Sequence, residues 1–153
     1  MPSTAETYRD AALEHLGRAQ SLYGDDRQGN WFLIRYISGL AVECHLRAFM
    51  RRMTPEFEPR HNLEMLARAS GFFNIVPISD IERFAERFAT LNQRWQASQR
   101  YYAERQMLDY LNEVRAEFNK RGNRLENLSK FAFGNALYVI NYGEAKWENW
   151  QAG

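Results

Sequence analysis

The chain has one cysteine, four prolines and nine glycines in 153 residues. A single cysteine excludes a disulfide framework, and a zinc site would have to rest on three scattered histidines and carboxylates. So little Pro and Gly excludes collagen-like and Pro-rich classes. Residues that favour strands are scarce too: Val, Ile and Thr together number 14. Neither sign of charge prevails. With 20 Lys and Arg against 19 Asp and Glu, the net charge of +1 gives no strong field toward nucleic acid or membrane. No stretch approaches the roughly 18 apolar residues that cross a bilayer. The opening, MPSTAETYRDAALEHL, holds acids early and no apolar core, so it does not read as a signal peptide. With the lone cysteine, these features lead us to expect a cytoplasmic protein without a membrane partner.

Helix formers and aromatic rings fill the chain instead. There are 17 Ala, 14 Leu, 10 Phe, 8 Tyr and 4 Trp. So many rings could not all stay solvated, and a chain of this size buries about two-thirds of its unfolded surface. The apolar pattern has a period of 3.6. Ser3-Thr4-Ala5-Glu6 has the spacing of a capping box, and Tyr8, Ala12, Leu16, Ala19 and Tyr23 follow on one helical face. A polar loop from Gly24 to Asn30 stops this first helix. The second, about Trp31 to Met53, is apolar on most of its circumference, as befits a central helix touched by several others. Thr54-Pro55 ends it.

Asn62 can cap a short third helix from Leu63 to Ser70, with Gly71 as its stop. Phe72 to Ile78 is apolar, but Pro77 argues for a packed loop over a strand. Ser79 to Glu82 repeats the capping spacing before a fourth helix, whose face is Ile81, Phe84, Phe88, Leu91 and Trp95. A fifth helix reads over about residues 103–119. A weaker sixth runs from about Leu125 to Ile140, interrupted by Gly134, and an aromatic tail begins at Asn141 with Tyr142, Trp147 and Trp150. The expectation is an all-α, up-and-down bundle of four to five main helices over residues 1–122. A C-terminal helical and aromatic extension, 123–153, would pack on the same domain or on a partner chain.

Ser38-Gly39-Leu40-Ala41-Val42-Glu43-Cys44-His45-Leu46-Arg47-Ala48 lies within the second helix. Arg60-His61-Asn62-Leu63 follows, and then Trp95 and Arg100-Tyr101. This order resembles the HEPN family of small helical bundles, whose chains often carry an Ala-Val-Glu helix with a basic residue, a His-(Asp/Asn)-Leu segment, then Trp and Arg-Tyr. The likeness covers about residues 5 to 120. It implies a helical bundle, frequent homodimers, work on RNA or nucleotides, and no cofactor. Many members are metal-independent ribonucleases. Others partner small nucleotidyltransferases in toxin–antitoxin pairs. The ribonucleases use an Arg followed, four to six residues on, by a His on a late helix, the first steadying phosphate charge and the second moving a proton.

This chain departs from that pattern. Its three histidines, His15, His45 and His61, all precede the late helices. Arg9 and His15 have the spacing but sit about 600° apart around a helix, on different faces. Glu43 and Arg47, four apart, share a face and can pair. The resemblance brings Arg47, His61 and Arg100 near Glu43. That set reads either as a polar cluster fixing two helices together or as an anion pocket, with Tyr101 beside it. Arg94, Arg100, Tyr101, Tyr102 and Arg105 mix cations and rings, as nucleic-acid contacts do and as helix junctions do. Cys44 reads as a small apolar residue.

Three functions remain. The first is an RNA- or nucleotide-binding module without the ribonuclease pair, in a toxin–antitoxin or defence setting. The second is a ribonuclease with a displaced site, using Arg100 with His61 or Arg47 with His45. The third is a helical oligomerisation protein without catalysis, assembling through its aromatic tail.

Overall fold

The computed structural model describes residues 4–24, 28–53, 62–92 and 124–148. Five helices lie among them, with no strand: α1 (Ala5–Tyr23), α2 (Gln28–Met53), α3 (Leu63–Ala69), α4 (Ile81–Asn92) and α5 (Arg124–Trp147). The fold is an all-α helical bundle. The helix expected over 103–119, and Trp95, lie outside the described residues.

The cap of α1 is Thr4, one residue later than the expected box. Its hydroxyl accepts from the Thr7 N–H at 3.1 Å, and the residue at that third helical position is Thr rather than Glu. Ala12, Leu16 and Ala19 are buried, on the face the spacing marked. α2 starts at Gln28, three residues before Trp31. A first turn of polar residues costs little there, because the first N–H groups of a helix have no helical partner in any case. α2 is central. α1, α3, α4 and α5 all pack on it, and Ile34, Ala41, Val42, Leu46, Ala48 and Phe49 are wholly enclosed.

Asn62 caps α3, its Oδ1 accepting from the Met65 N–H at 3.0 Å. Gly71 has φ of 75°, a left-handed conformation that side chains rarely adopt, and a methyl there would overlap the Met53 Sδ. The apolar stretch that follows forms two 3-10 turns, Phe72–Asn74 and Ile78–Asp80, the second leading into α4. Phe72 is wholly buried, with the rings of Phe49, Phe84 and Phe88 between 5.6 and 5.7 Å away.

α5 runs unbroken through Gly134, against expectation. Gly134 is exposed, and its cost of about 1 kcal/mol is outweighed by the apolar face around it, where Ala132, Ala136, Val139 and Ile140 are buried. The aromatic tail is therefore the last two turns of this helix. Tyr142 donates its hydroxyl to the Ile75 carbonyl at 3.0 Å, and Trp147 is buried against Phe49. Both rings dock on their own chain; Trp150 lies outside the described residues.

The order of contacts sets the helix directions. Ser129 Oγ donates to the Trp31 carbonyl at 2.6 Å, Gly143 lies on His45, and Arg52 reaches Trp147. Both helices meet these contacts in the same sense, so α2 and α5 are parallel. α1 runs against both: Tyr23 meets Trp31 and Phe133 at one end, while Arg9 meets Glu144 at the other.

Gly143 makes the close approach of α5 to α2 possible. A methyl there would overlap the His45 Nε2 and stand 3.1 Å from a Phe49 ring carbon, whereas one on Gly134 meets nothing within 4 Å. Gly143→Ala is expected to lose about 2 kcal/mol by overpacking. Gly134→Ala should gain about 0.5–1 kcal/mol from helix propensity. Urea midpoints measure both, and shifts of the same sign would contradict the packing described.

Candidate functional site

Inside the Ala-Val-Glu segment of α2, Glu43 and Arg47 are 3% and 6% exposed. One helical turn separates them. Arg47 donates from Nη2 to the Glu43 Oε1 at 3.1 Å and from Nε to the same oxygen at 3.4 Å. The two therefore form a buried ion pair, which offsets part of the cost of removing each charge from water. A further cation, Arg35, is buried on the same helix. Two of the expected cluster are thus together. His61, Arg100 and Tyr101 lie outside the described residues, as does the basic and aromatic stretch from Arg94 to Arg105.

His45 follows Glu43 by two residues, which is about 200° around the helix. It faces α5 rather than the ion pair. No part of it reaches solvent, and among the described residues neither ring nitrogen has a hydrogen-bond partner. Its ring packs against Gly143 and edge-on to Phe49 at 5.1 Å. Burial, with the charge of Arg9 as a smaller cause, pushes the imidazole down to about 3, so it is neutral near pH 7. Arg47 and His45 consequently do not share a site.

Arg9 and His15 are also apart. Arg9 holds the Glu144 carboxylate through Nε at 3.0 and 2.9 Å and Nη2 at 2.6 Å, which raises the guanidinium further. His15 lies instead against Arg18, 3.2 Å from its Nη1. Burial and that neighbouring charge lower the imidazole.

Three arginine contacts escaped the sequence reading, one of them made by Arg9. Arg9 and Glu144 are 135 residues apart in the chain, beyond the reach of any local spacing rule. Arg52 stacks its guanidinium 3.4 Å from the Trp147 ring centroid and donates to the Trp147 carbonyl, closing the end of α5. Arg87 donates to the Asn135 Oδ1 at 2.8 Å and lies 3.9 Å over the Tyr138 ring, tying α4 to α5. On α5, the exposed Lys130 pairs with Glu126 at 2.9 Å.

Among the described residues, no group of three His, Cys, Asp or Glu side chains could hold a metal ion. Among them, too, no helix is long and apolar enough to cross a membrane. No protein-family model, curated protein or solved structure matches the chain.

Proposed function

We propose that the chain is a HEPN-like RNA- or nucleotide-binding module that works without the Arg and late-helix His of the ribonucleases. The observation that carries this reading is the buried Glu43–Arg47 pair within the Ala-Val-Glu segment. The pair holds this stretch of α2 in a fixed register while Glu43 engages the Arg47 Nε and Nη2, so phosphate contact falls to cations nearer the surface. In this reading His61 and Arg100 add cationic or donor groups beside it. Tyr101 offers a ring on which a base can stack.

Catalysis is the less supported reading. The described histidines do not meet an arginine in a proton-transfer arrangement: His45 is enclosed, and His15 lies beside Arg18 on α1. The resemblance also supports a homodimer and a nucleotidyltransferase partner, and both belong to the proposal.

The test uses the full chain and a labelled single-stranded RNA. Fluorescence anisotropy should show binding at low salt, weakened about tenfold by Arg100→Ala with an unchanged melting temperature. The RNA should stay intact in chelator over hours. Absence of binding to RNA and to mononucleotides would overturn the reading. Cleavage in chelator, abolished by His61→Ala in a folded protein, would replace it with the ribonuclease.

A further inference from the structure

We propose that His45 is an acid-sensitive catch in the seam between α2 and α5, holding the C-terminal half of α5 in place only while its ring is neutral. The inference is independent of the function proposed above and rests on four observations. His45 is wholly buried. Neither ring nitrogen has a partner among the described residues. The ring is pressed against Gly143, with no room for one methyl between the helices. The other neighbours are Phe49 and Phe72, with centroids at 5.1 and 6.3 Å. A neutral imidazole has one donor and one acceptor to satisfy, while an imidazolium has two donors and a charge. Among the described residues the seam offers nothing to either donor, so the charged ring must leave it or draw water in.

The charged groups around the ring do not relieve this. From α1 the facing group is Arg9, a second cation whose charge disfavours a proton on His45. From α5 the nearest carboxylate in sequence is Glu144, beside Gly143, and Arg9 already holds it through three hydrogen bonds. Tyr142 is uncharged in the acid range and is turned to the Ile75 carbonyl. The turn at Phe72 adds a ring and no charge. On α2 itself, Arg52 is engaged with Trp147.

The sign follows from linkage. In the opened state the ring takes its proton from about pH 6.5 downward, its ordinary value, whereas in the closed seam it resists protonation until about pH 3. The contribution of a neutral His45 is therefore complete above about pH 7 and is lost as the pH falls through this window. One extra proton in the open state makes the opening constant rise by up to about tenfold per pH unit. Arg9–Glu144 sits next to the seam, so opening also exposes that pair.

Native-state hydrogen exchange from pH 7 to pH 4.5 tests the catch. Protection factors of amides 139–147 should fall by close to tenfold per unit, while those in the middle of α1 fall far less. His45→Met, apolar and adaptable in shape, should flatten the fall in α5. His15→Gln should leave it unchanged. An equal fall in His45→Met, or an equal loss of protection in every helix, would overturn the proposal. Should His45→Met not fold, the wild-type ring decides by NMR titration. A His45 signal that titrates near pH 6.5 with α5 still protected contradicts the catch, and one that stays neutral until α5 loses protection supports it.

Discussion

Glu43→Ala is expected to cost about 4 kcal/mol of folding stability, because removing one member of a buried ion pair takes away the charge-assisted hydrogen bonds that offset the desolvation of the other. Glu43 is 3% exposed and its Oε1 receives both donors from Arg47. The loss should exceed what the missing methylenes alone would give. Glu43→Gln keeps the shape and one acceptor and should lose roughly half as much. Replacing both partners, Glu43→Leu with Arg47→Met, should recover much of the stability, since apolar side chains of similar volume fill the place without a desolvation cost. The double-mutant cycle then yields a coupling of about 2 kcal/mol or more. Urea denaturation of the four proteins measures it. A Glu43→Ala loss below about 1 kcal/mol would show that the pair is not buried as described.

The second large effect belongs to Trp147. Its indole is 2% exposed at the end of α5, stands edge-on to Phe49 at 5.1 Å, and carries the Arg52 guanidinium on its face. Arg9 lies farther out, 5.6 Å from the ring centroid. Trp147→Ala should cost about 3–5 kcal/mol, combining lost burial with a cavity and the lost ring face under the Arg52 guanidinium. Trp147→Phe, which keeps a ring for the guanidinium, should lose about 1–2 kcal/mol. Thermal melts in parallel with urea midpoints give both values. A wild-type midpoint for Trp147→Ala would mean that the last turns of α5 do not dock on α2.

The elements legible in the sequence are those whose signal is local. Apolar spacing marked the faces of α1 and α4, where Ala12, Leu16 and Ala19 and then Phe84, Phe88 and Leu91 are buried. Asn62 announced α3 by a cap that depends on three residues only. α2 was legible for the opposite reason: it is apolar nearly all round, and four helices pack on it. Gly134 misled because a glycine lowers helix propensity locally, while the burial that overrides it comes from α2 and α4. The aromatic tail was expected to pack on the domain or on a partner chain, and which of the two was not readable for a related reason. The contacts that hold Trp147, Arg52 and Phe49, lie nearly a hundred residues earlier, beyond any local pattern.

The candidate site divides on the same line. Glu43 and Arg47 are four apart on a helix, so their pairing follows from helical geometry. The helical repeat alone would have placed His45 on the other side of α2, away from Arg47. Its lack of partners was not readable, because satisfaction of a buried ring depends on what the facing helix supplies. Here α5 supplies a glycine.

The most direct test of the binding account is the salt dependence of RNA affinity. In the proposed reading, an anion site of Arg100, His61 and the cations from Arg94 to Arg105, braced by the Glu43–Arg47 pair, would engage two or three phosphates. The logarithm of the association constant should then fall against the logarithm of salt with a slope of about −1.5 to −2, from about −0.7 for each phosphate on a single strand. Arg100→Ala should make that slope shallower by about one such step. A slope near zero in the wild type, or one that Arg100→Ala leaves unchanged, would contradict the proposed phosphate site.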